Sequence, residues 1–421
     1  MAFGLKLALF KNLKPFHKLS LIFLLVVLAL ALTHEVLWWD EAVYVNNALS
    51  LAGVHEPWRF VALERQPATA FLEAAAFLVF GGAGFFLVAF FGAVSLVFLA
   101  YSLVKALDGT ESQAFFAGLI VLFSPPFLVS GYTFASDAWG AALSLAALFF
   151  YVDYLKKGGT RSFLLSLLFA SLSFWFRDIY LLTGLGILFW EFFEKKSFKR
   201  LAVGALVYFS VIAAFFIDSA GVLGDPLARL KSHASMILLR IGYSSSNPLF
   251  SILSWALFFV VCYGLFFQKI LFSCAAKKEE RVLVFFFAIN AFSLLFLDSQ
   301  LRYALLPVIL LACVYSLRLG KEDFKTKWIA FAIPAVIAIA FYSNSFFLGP
   351  ENVGVMGRAC SMAETVKGDL YTEGNAPFLS QCSKRPVYSL DLGCEGGSVL
   401  SFDKKNFEPF VQSCLEYERS A

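Results

Sequence analysis

Charged residues are scarce in this chain. Asp, Glu, Lys and Arg make up 15% of its 421 positions, whereas hydrophobic residues make up 60%. A soluble domain usually carries about 25% charged residues, so the composition excludes an ordinary soluble domain. The formal net charge is +4, which gives no electrostatic footprint for nucleic acid. The composition indicates a polytopic membrane protein.

Several catalytic signatures are also missing. The chain has four histidines, and His233 has no companion at metal-ligand spacing. We therefore expect no metal held by histidine, while a divalent cation held by carboxylates stays open. The sequence has no phosphate-binding loop, no dinucleotide glycine fingerprint and no nucleophile elbow. These absences argue against nucleotide-driven chemistry on the inner face.

Long apolar runs are abundant. A helix needs about 20 predominantly apolar residues to cross the hydrocarbon core of a bilayer. Within residues 1–348 we predict an all-α bundle of eleven transmembrane helices, at 19–37, 85–104, 113–130, 137–155, 162–176, 178–193, 201–217, 248–268, 282–298, 303–319 and 328–348. The first run continues without a small-residue cleavage site, so it is predicted to be a retained span.

Lysine and arginine are distributed unequally between the two sides of this bundle. One side carries clusters such as those at 156–161 and 195–200. The other side, before the C-terminal tail, holds only Arg59, Arg65, Arg177, Arg229, Lys231, Arg240 and Arg302. The positive-inside rule then predicts a cell-membrane protein with a cytoplasmic N-terminus and an extracytoplasmic C-terminus. The runs 42–52 and 67–80 become surface helices in a first outer loop over 38–84.

The C-terminal tail, residues 349–421, is more polar than the rest. It holds Cys360, Cys382, Cys394 and Cys414, which in an exterior segment predicts one or two disulfides, with three pairings open for two. DLYTEG and RPVYSLDL are typical of strands, and NAPFLSQC between them of a helix. We predict a small extracytoplasmic α/β appendage.

The acidic segment HEVLWWDEAVYVNNALSL, residues 34–51, follows the first span directly. Carboxylates so close to a bilayer favour a functional site. A structural alternative is that Asp40 caps a helix that begins at Glu41, with Trp38 and Trp39 anchored at the interface. If the segment is helical, a shared face brings together Asp40, Tyr44, Asn47 and Leu51.

Other unusual polar residues fall on the same predicted side. Asp137 stands at the outer start of a span, where Ser136 or Asp137 could be a helix N-cap. Arg177 and Asp178 form an outer turn, for which we favour a structural ion pair. Arg65 and Arg302 either anchor the protein at the interface by snorkelling or bind a phosphate at that depth.

An ordered set of motifs runs through most of residues 19–348. These motifs are WWDEAVYVNNAL, ERQPATAFLEAAAFLVFG, LFSPPFLVSGYTFASDAWGAALSLAALFFY, SLSFWFRDIYLLTGLGILF, FIDSAGVLGDPL and LRYALLPVILLACVYSL. In this order they resemble the C-type (GT-C) membrane glycosyltransferases, of the protein mannosyltransferase and lipid A aminoarabinose transferase superfamily. The resemblance implies a membrane bundle whose outer cavity receives a polyprenyl-phosphate sugar from the bilayer.

The resemblance also implies roles for individual residues. Asp40 matches the catalytic carboxylate that contacts the acceptor, with Glu41 as its neighbour, and Asp137 matches a second family aspartate. Arg65 with Pro67, and the pair Arg302 and Tyr303, match the residues that bind the donor phosphate, although the family places its basic residue closer to the proline. The remaining candidates are supporting residues, namely Tyr44, Arg177 and Asp178.

The activity implied is inverting transfer of a hexosyl or pentosyl group from a polyprenyl- or dolichyl-phosphate donor to a protein, lipid or glycan acceptor outside the cell. The string Trp38-Trp39-Asp40 also occurs in the oligosaccharyltransferase signature, but there it lies in the C-terminal domain, so we treat the overlap as coincidence. The alternatives are a transporter or lipid flippase, which should place polar residues in mid-membrane, and a non-catalytic assembly protein.

Overall fold

A computed structural model describes most of the first 232 residues and parts of the remainder. The described residues are 13–33, 39–54, 61–63, 65–195, 198–232, 253, 255–260, 278–294, 301–319, 336, 353–372, 379, 382–384, 387–389, 398–402 and 409–414. Their helices are α1 (Pro15–Thr33), α2 (Trp39–Leu51), α3 (Pro67–Phe80), α4 (Ala83–Ala106), α5 (Glu111–Leu122), α6 (Pro125–Ser130), α7 (Ser136–Lys157), α8 (Thr160–Phe176), α9 (Leu181–Lys195), α10 (Phe198–Leu223), α11 (Lys278–Ser293), α12 (Leu305–Leu317) and α13 (Val353–Thr365). Two 3-10 turns cover Asp178–Tyr180 and Leu301–Ala304.

Four of the described helices are long and apolar enough to cross a membrane. They are α1 over Pro15–Leu32, α4, α7 and α10. Helices α3, α5 and α8 are apolar but shorter, as is the stretch Arg302–Leu317. These helices make the chain a multi-pass membrane protein. The predicted count of eleven spans stays a prediction, because most of 248–268 and nearly all of 328–348 lie outside the described residues.

The predicted single span at 113–130 is wrong as one continuous helix. Helix α5 ends at Leu122, and α6 begins after Ser124, whose side chain accepts a hydrogen bond from the Phe127 N–H at 3.3 Å. Pro125 and Pro126 have no backbone N–H to continue the α5 hydrogen bonds, but they suit the first turn of a new helix. The chain therefore breaks into two helices at this point.

The capping alternatives for two acidic residues are also corrected. Helix α2 begins at Trp39, so Asp40 and Glu41 lie inside its first turn and not before it. Helix α7 begins at Ser136, which likewise places Asp137 in the first turn. A carboxylate in the first turn interacts favourably with the partial positive charge of a helix N-terminus. Both side chains remain available for tertiary contacts.

The chain divides into two compact units. We call Met1–Leu30, Ala89–Tyr132 and Ser136–Ile339 the helical unit, and Ala31–Val88, Thr133–Ala135 and Ala340–Ala421 the mixed unit. The predicted division into a membrane domain, 1–348, and a C-terminal domain, 349–421, stays a prediction.

In the helical unit, polar side chains join α7, α9 and α10. The Tyr154 hydroxyl donates to Glu191 Oε1 at 2.7 Å, and Arg200 contacts the Tyr154 hydroxyl. The Arg200 Nη1 atom lies 3.8 Å from Glu191 Oε1. Glu191 is fully buried, so the arginine supplies the opposite charge that a buried carboxylate requires. This cluster holds the three helices together where α7 and α9 end and α10 begins.

The mixed unit contains a four-stranded sheet. Its strands are β1 (Leu370–Thr372), β2 (Tyr388–Ser389), β3 (Ser398–Phe402) and β4 (Pro409–Ser413), in the order β2-β1-β3-β4. β1 is parallel to β2 and β3, and β4 is antiparallel to β3. The segments DLYTEG and RPVYSLDL contain β1 and β2, while β3, β4 and α13 were not predicted. That this sheet is an exterior appendage stays a prediction.

A disulfide joins α13 to the segment before β2. It links Cys360 to Cys382, which agrees with the prediction of one or two bridges. Cys414 is disulfide-bonded as well. Small apolar side chains pack beside the bridge, among them Ala359 and Ala363 of α13 against Leu370 and Leu379. The bridge therefore fixes α13 to a small apolar core of this part of the unit.

Candidate functional site

In the mixed unit, α2 holds the segment before α3 through an ion pair at its N-terminal end. Arg65 Nη2 lies 3.3 Å from Asp40 Oδ1, and the two side chains are 18% and 10% exposed. The guanidinium is therefore neither a snorkelling anchor alone nor an isolated phosphate ligand. It shares a largely buried position with the carboxylate, where the attraction between opposite charges is stronger than in water.

Two further contacts on the same face of α2 extend this ion pair into a ladder. The Tyr44 hydroxyl donates to Gln66 Oε1 at 3.1 Å. Asn47 Nδ2 donates to the Ala62 carbonyl at 2.8 Å, and Asn47 Oδ1 accepts from the Ala62 N–H at 2.9 Å. The spacing of residues 40, 44 and 47 places them on one helical face, as the sequence predicted. We call these three contacts the α2 ladder.

Glu41 makes a different contact. Its Oε1 accepts a hydrogen bond from the Phe134 N–H at 2.9 Å, and the residue is 2% exposed. The bond fixes the short segment 133–135, which belongs to the mixed unit although it precedes α7 in sequence. The two neighbouring carboxylates of α2 are thus divided in their contacts: Asp40 binds a cation, and Glu41 binds a backbone amide.

Helix α3 contributes an acidic residue that the sequence analysis did not single out. Glu73 is fully buried, and among the described residues neither of its carboxylate oxygens has a hydrogen-bond partner. Burial raises the pKa of Glu73 well above its usual range, and the nearby negative charge of Glu41 raises it further. Ionisation of Glu73 is therefore disfavoured in the folded protein.

In the helical unit, Asp137 pairs with Arg177. Arg177 Nε donates to Asp137 Oδ1 at 2.9 Å, and Arg177 Nη2 lies 2.8 Å from the same oxygen. Both side chains are almost completely buried. The expectation of a structural ion pair at Arg177 is confirmed, and its partner is a residue of α7. Asp178 instead accepts a hydrogen bond from the Ile179 N–H at 3.0 Å within the 3-10 turn.

A glycine permits this approach of the outer turn to α7. A Cβ atom added at Gly140 would lie 2.5 Å from Tyr180 Cε2 and 3.4 Å from Arg177 Cβ. The Tyr180 ring thus occupies the space that a side chain at position 140 would need. Glycine at this position lets the turn that carries Arg177 pack directly on the helix that carries Asp137.

The Tyr303 ring contacts two guanidinium groups. The Cζ atoms of Arg177 and Arg302 lie 5.4 Å and 5.2 Å from its centroid, within the usual range of cation–π contacts. Tyr303 is 8% exposed, whereas Arg302 is only partly buried. The structure therefore brings together Asp137, Arg177, Arg302 and Tyr303 within the helical unit.

The predicted outer side carries further polar residues, which we call the outer polar set: Glu64, Asp218, Asp225, Arg229, His233, Arg240 and Asp298. Those that the structure describes form ion pairs. Arg229 Nη1 lies 2.6 Å from Asp218 Oδ2, and Lys231 Nζ lies 2.7 Å from Asp225 Oδ2. The first pair connects α10 to the segment that follows it, and the second pair lies within that segment. Several residues of the set lie outside the described residues, namely Glu64, His233, Arg240 and Asp298, as does Trp38. Within the described part of the chain, no group of three or more His, Cys, Asp or Glu side chains could hold a metal.

Sequence reasoning missed three residues that shape these clusters. Gln66 stands beside the singled-out Arg65, and Gly140 carries no chemical group, so neither drew attention. Glu73 interrupts the apolar stretch PATAFLEAAAFLVF, and a carboxylate inside such a run was the available signal.

Comparisons with known proteins place the fold. The family model described as dolichyl-phosphate-mannose-protein mannosyltransferase matches residues 64–218. The crystal structure of ArnT from Cupriavidus metallidurans bound to undecaprenyl phosphate superimposes with a TM-score of 0.65 at 13% identity, covering 91% of this chain and 92% of that chain. The archaeal oligosaccharyltransferase AglB from Archaeoglobus fulgidus, in complex with an inhibitory peptide and a dolichol-phosphate, gives 0.55 at 13% identity, covering 87% and 64%. No curated protein sequence matches the chain. The resemblance to the C-type glycosyltransferases of the protein mannosyltransferase and ArnT type is confirmed.

Proposed function

We propose that this C-type membrane glycosyltransferase transfers a sugar from a polyprenyl- or dolichyl-phosphate donor to an acceptor on the extracytoplasmic face, with inversion and with Asp40 as the catalytic carboxylate. The observation that carries the proposal is the Asp40–Arg65 pair, in which a carboxylate and a guanidinium lie 3.3 Å apart. The charge asymmetry of the loops supports the outer face. The lipid phosphates in the ArnT and AglB structures support the donor class.

The proposed reaction is a single displacement. The acceptor O–H or N–H gives its proton to the Asp40 carboxylate while its lone pair forms a bond to the anomeric carbon of the sugar. The bond from that carbon to the phosphate oxygen breaks on the opposite face, and its electron pair leaves with the lipid phosphate. One carboxylate for the nucleophile and cations for the leaving phosphate are the groups that this step needs.

The α2 ladder explains how the two groups are held. Arg65 directly precedes Gln66, which accepts from Tyr44, and the segment is fixed again at Ala62 by Asn47. These contacts restrict the position of the Arg65 backbone relative to α2. A preorganised cation stabilises developing phosphate charge more than a mobile one, because it needs no reorganisation during the reaction.

The proposal also gives roles to residues of the helical unit and to Glu41 of α2. Arg302 and Tyr303 are proposed to bind the donor phosphate, as the resemblance implies. Asp137 is proposed to act through Arg177, since its Oδ1 already contacts two nitrogens of that guanidinium. Glu41 is proposed to support the acidic turn by its bond to the Phe134 amide.

The proposal can be tested with purified protein in liposomes that contain polyprenyl-phosphate sugars, with envelope extract as the acceptor source. We expect wild-type protein to transfer label to an acceptor and Asp40→Asn to lose about 10²-fold or more of the rate. The control is Asp225→Asn, a comparable change at an exposed ion pair, which should retain wild-type transfer. Equal transfer by Asp40→Asn and wild type would refute the role of Asp40. Donor movement across the bilayer without any transfer would favour a flippase.

A further inference from the structure

The buried Glu73 carboxyl has no role in the proposed reaction. It lies on α3, which packs against α2 within the mixed unit. The residue is buried, with a relative exposure of 0%. Among the described residues neither of its carboxyl oxygens has a hydrogen-bond partner. An ionised carboxylate in such surroundings is strongly unfavourable, whereas a neutral carboxylic acid is tolerated.

Among the described residues of 31–88 and 133–135, the charged groups other than Glu73 lie on two segments. Helix α2 carries Asp40 and Glu41, and the segment before α3 carries Arg65. The Arg65 guanidinium lies against Asp40, so its charge is already matched. The residues of the mixed unit at 83–88 and 133–135 contain no titratable side chain. The dominant electrostatic neighbour of Glu73 is therefore the Glu41 carboxylate.

Glu41 and Glu73 differ in their hydrogen bonds. Glu41 accepts a hydrogen bond from the Phe134 N–H, whereas among the described residues neither Glu73 oxygen has a hydrogen-bond partner. The other unpartnered polar group on the buried face of α3 is the Thr69 hydroxyl, one turn before Glu73. The Thr69 hydroxyl forms no hydrogen bond with Glu73, so no hydrogen bond within the described residues stabilises a charge on that carboxyl. The proton therefore belongs on Glu73.

We propose that Glu73 is a positioning residue that remains a neutral carboxylic acid, so that α3 packs on α2 without a second buried charge and keeps Arg65 against Asp40. Loss of the proton would place two like charges, on Glu41 and Glu73, at the contact between α2 and α3. Their repulsion would act on the α2–α3 contact and displace Arg65, which lies eight residues before Glu73 along the chain. The inference rests on the proposed function only for its consequence in sugar transfer.

The direct test is the protonation state of Glu73 in the folded protein, measured by infrared spectroscopy in detergent. The difference spectrum of wild type minus Glu73→Gln should show the carbonyl stretch of a protonated carboxylic acid at neutral pH. The band should be absent from the difference between wild type and Glu111→Gln, since Glu111 is an exposed acid. Absence of the band at position 73 would overturn the inference, whatever the enzyme does. If Glu73→Gln does not fold, Glu73→Met serves in the same subtraction.

The functional consequence is tested by the pH profile of sugar transfer, with each variant normalised to its own maximum. Wild type and Glu111→Gln should lose transfer at alkaline pH as Glu73 ionises, whereas Glu73→Gln should keep its rate over that range. Superimposable alkaline limbs for wild type and Glu73→Gln would overturn the positioning role. A protein that shows the infrared band but transfers no sugar from any donor would refute the proposed function and leave the protonation of Glu73 established.

Discussion

Asp40 Oδ1 and Arg65 Nη2 lie 3.3 Å apart in a largely buried position, at the N-terminal end of a ladder that joins α2 to the segment before α3. This relationship gives the two residues separable roles. In the proposed function the carboxylate acts on the acceptor, and the guanidinium stabilises the charge of the departing phosphate.

Arg65→Gln should weaken the donor interaction. Removal of one charge-assisted contact to a phosphate in a partly buried site should lower kcat/KM for the donor by about 10- to 100-fold. Arg65→Lys should restore part of this loss, because an ammonium keeps the charge but lacks the planar fork of the guanidinium. The measurement is steady-state transfer against donor concentration. Equal activity of wild type and Arg65→Gln would remove Arg65 from the phosphate site.

The ladder should contribute to stability apart from catalysis. Asn47→Ala removes two buried hydrogen bonds to Ala62, including the one that the Ala62 N–H donates, so we expect a loss of about 1–3 kcal/mol in the free energy of unfolding. Thermal unfolding in detergent measures this loss. The control is Ser20→Ala, which removes an exposed hydrogen bond within α1 and should change the midpoint little. An unchanged midpoint for Asn47→Ala would contradict the ladder.

The shared face of residues 40, 44 and 47 on α2 could be predicted from sequence. The segment that this face contacts, residues 62–66, could not. Residues 40, 44 and 47 recur at helical spacing, which is a local property of the chain. The segment at 62–66 lies in a loop, and a loop has no period that shows which helix it will meet. The same limit applies to Asp137 and Arg177, whose pairing depends on how the turn at 178–180 packs on α7. The break after Ser124 was readable in principle, since two prolines follow it.

The buried pair of Asp137 and Arg177 should be costly to break. Arg177→Met leaves the Asp137 carboxylate buried without its cation, and we expect a destabilisation of about 3–5 kcal/mol. The double variant with Asp137→Leu should recover much of that loss, because no unpaired charge remains. Chemical or thermal unfolding of the three variants and wild type gives the coupling energy. Additive effects of the two substitutions would show that the pair is not coupled.

Gly140→Ala tests the close approach beside that pair. The added methyl would meet the Tyr180 ring at 2.5 Å, so we expect lower stability and displacement of the Arg177 turn. Gly221→Ala on α10 is the matched control, because nothing lies within 4 Å of its added Cβ. Alanine there should raise stability by up to about 1 kcal/mol through helix propensity. Equal effects of the two substitutions would contradict the packing described for Gly140.

Glu73 should make stability depend on pH. Because its pKa is raised in the folded state, the folded protein binds this proton more tightly than the unfolded chain does. Stability is then unaffected below the ordinary glutamate pKa of about 4.3, and falls by up to about 1.4 kcal/mol per pH unit as the pH rises from there towards the raised value. The unfolding midpoint of Glu73→Gln should therefore exceed that of wild type by a margin that grows as the pH rises above the ordinary glutamate pKa.

Glu111→Gln provides a control of opposite sign. Hydrogen bonds from Tyr101 and from Lys105 lower the pKa of Glu111, so this carboxylate contributes stability above its ordinary pKa that is lost as the pH falls. Its removal should give no gain that grows with pH. A constant difference between Glu73→Gln and wild type across the same range would contradict a protonated Glu73.

The central claim is that Asp40 acts in the chemical step and Arg65 on the donor phosphate. Single-turnover transfer, measured together with donor binding, separates the two roles. The account predicts that Asp40→Asn binds the polyprenyl-phosphate sugar with near wild-type affinity and transfers it about 10²-fold or more slowly per bound donor. An Asp40→Asn protein that loses donor affinity but transfers each bound donor at the wild-type rate would contradict it.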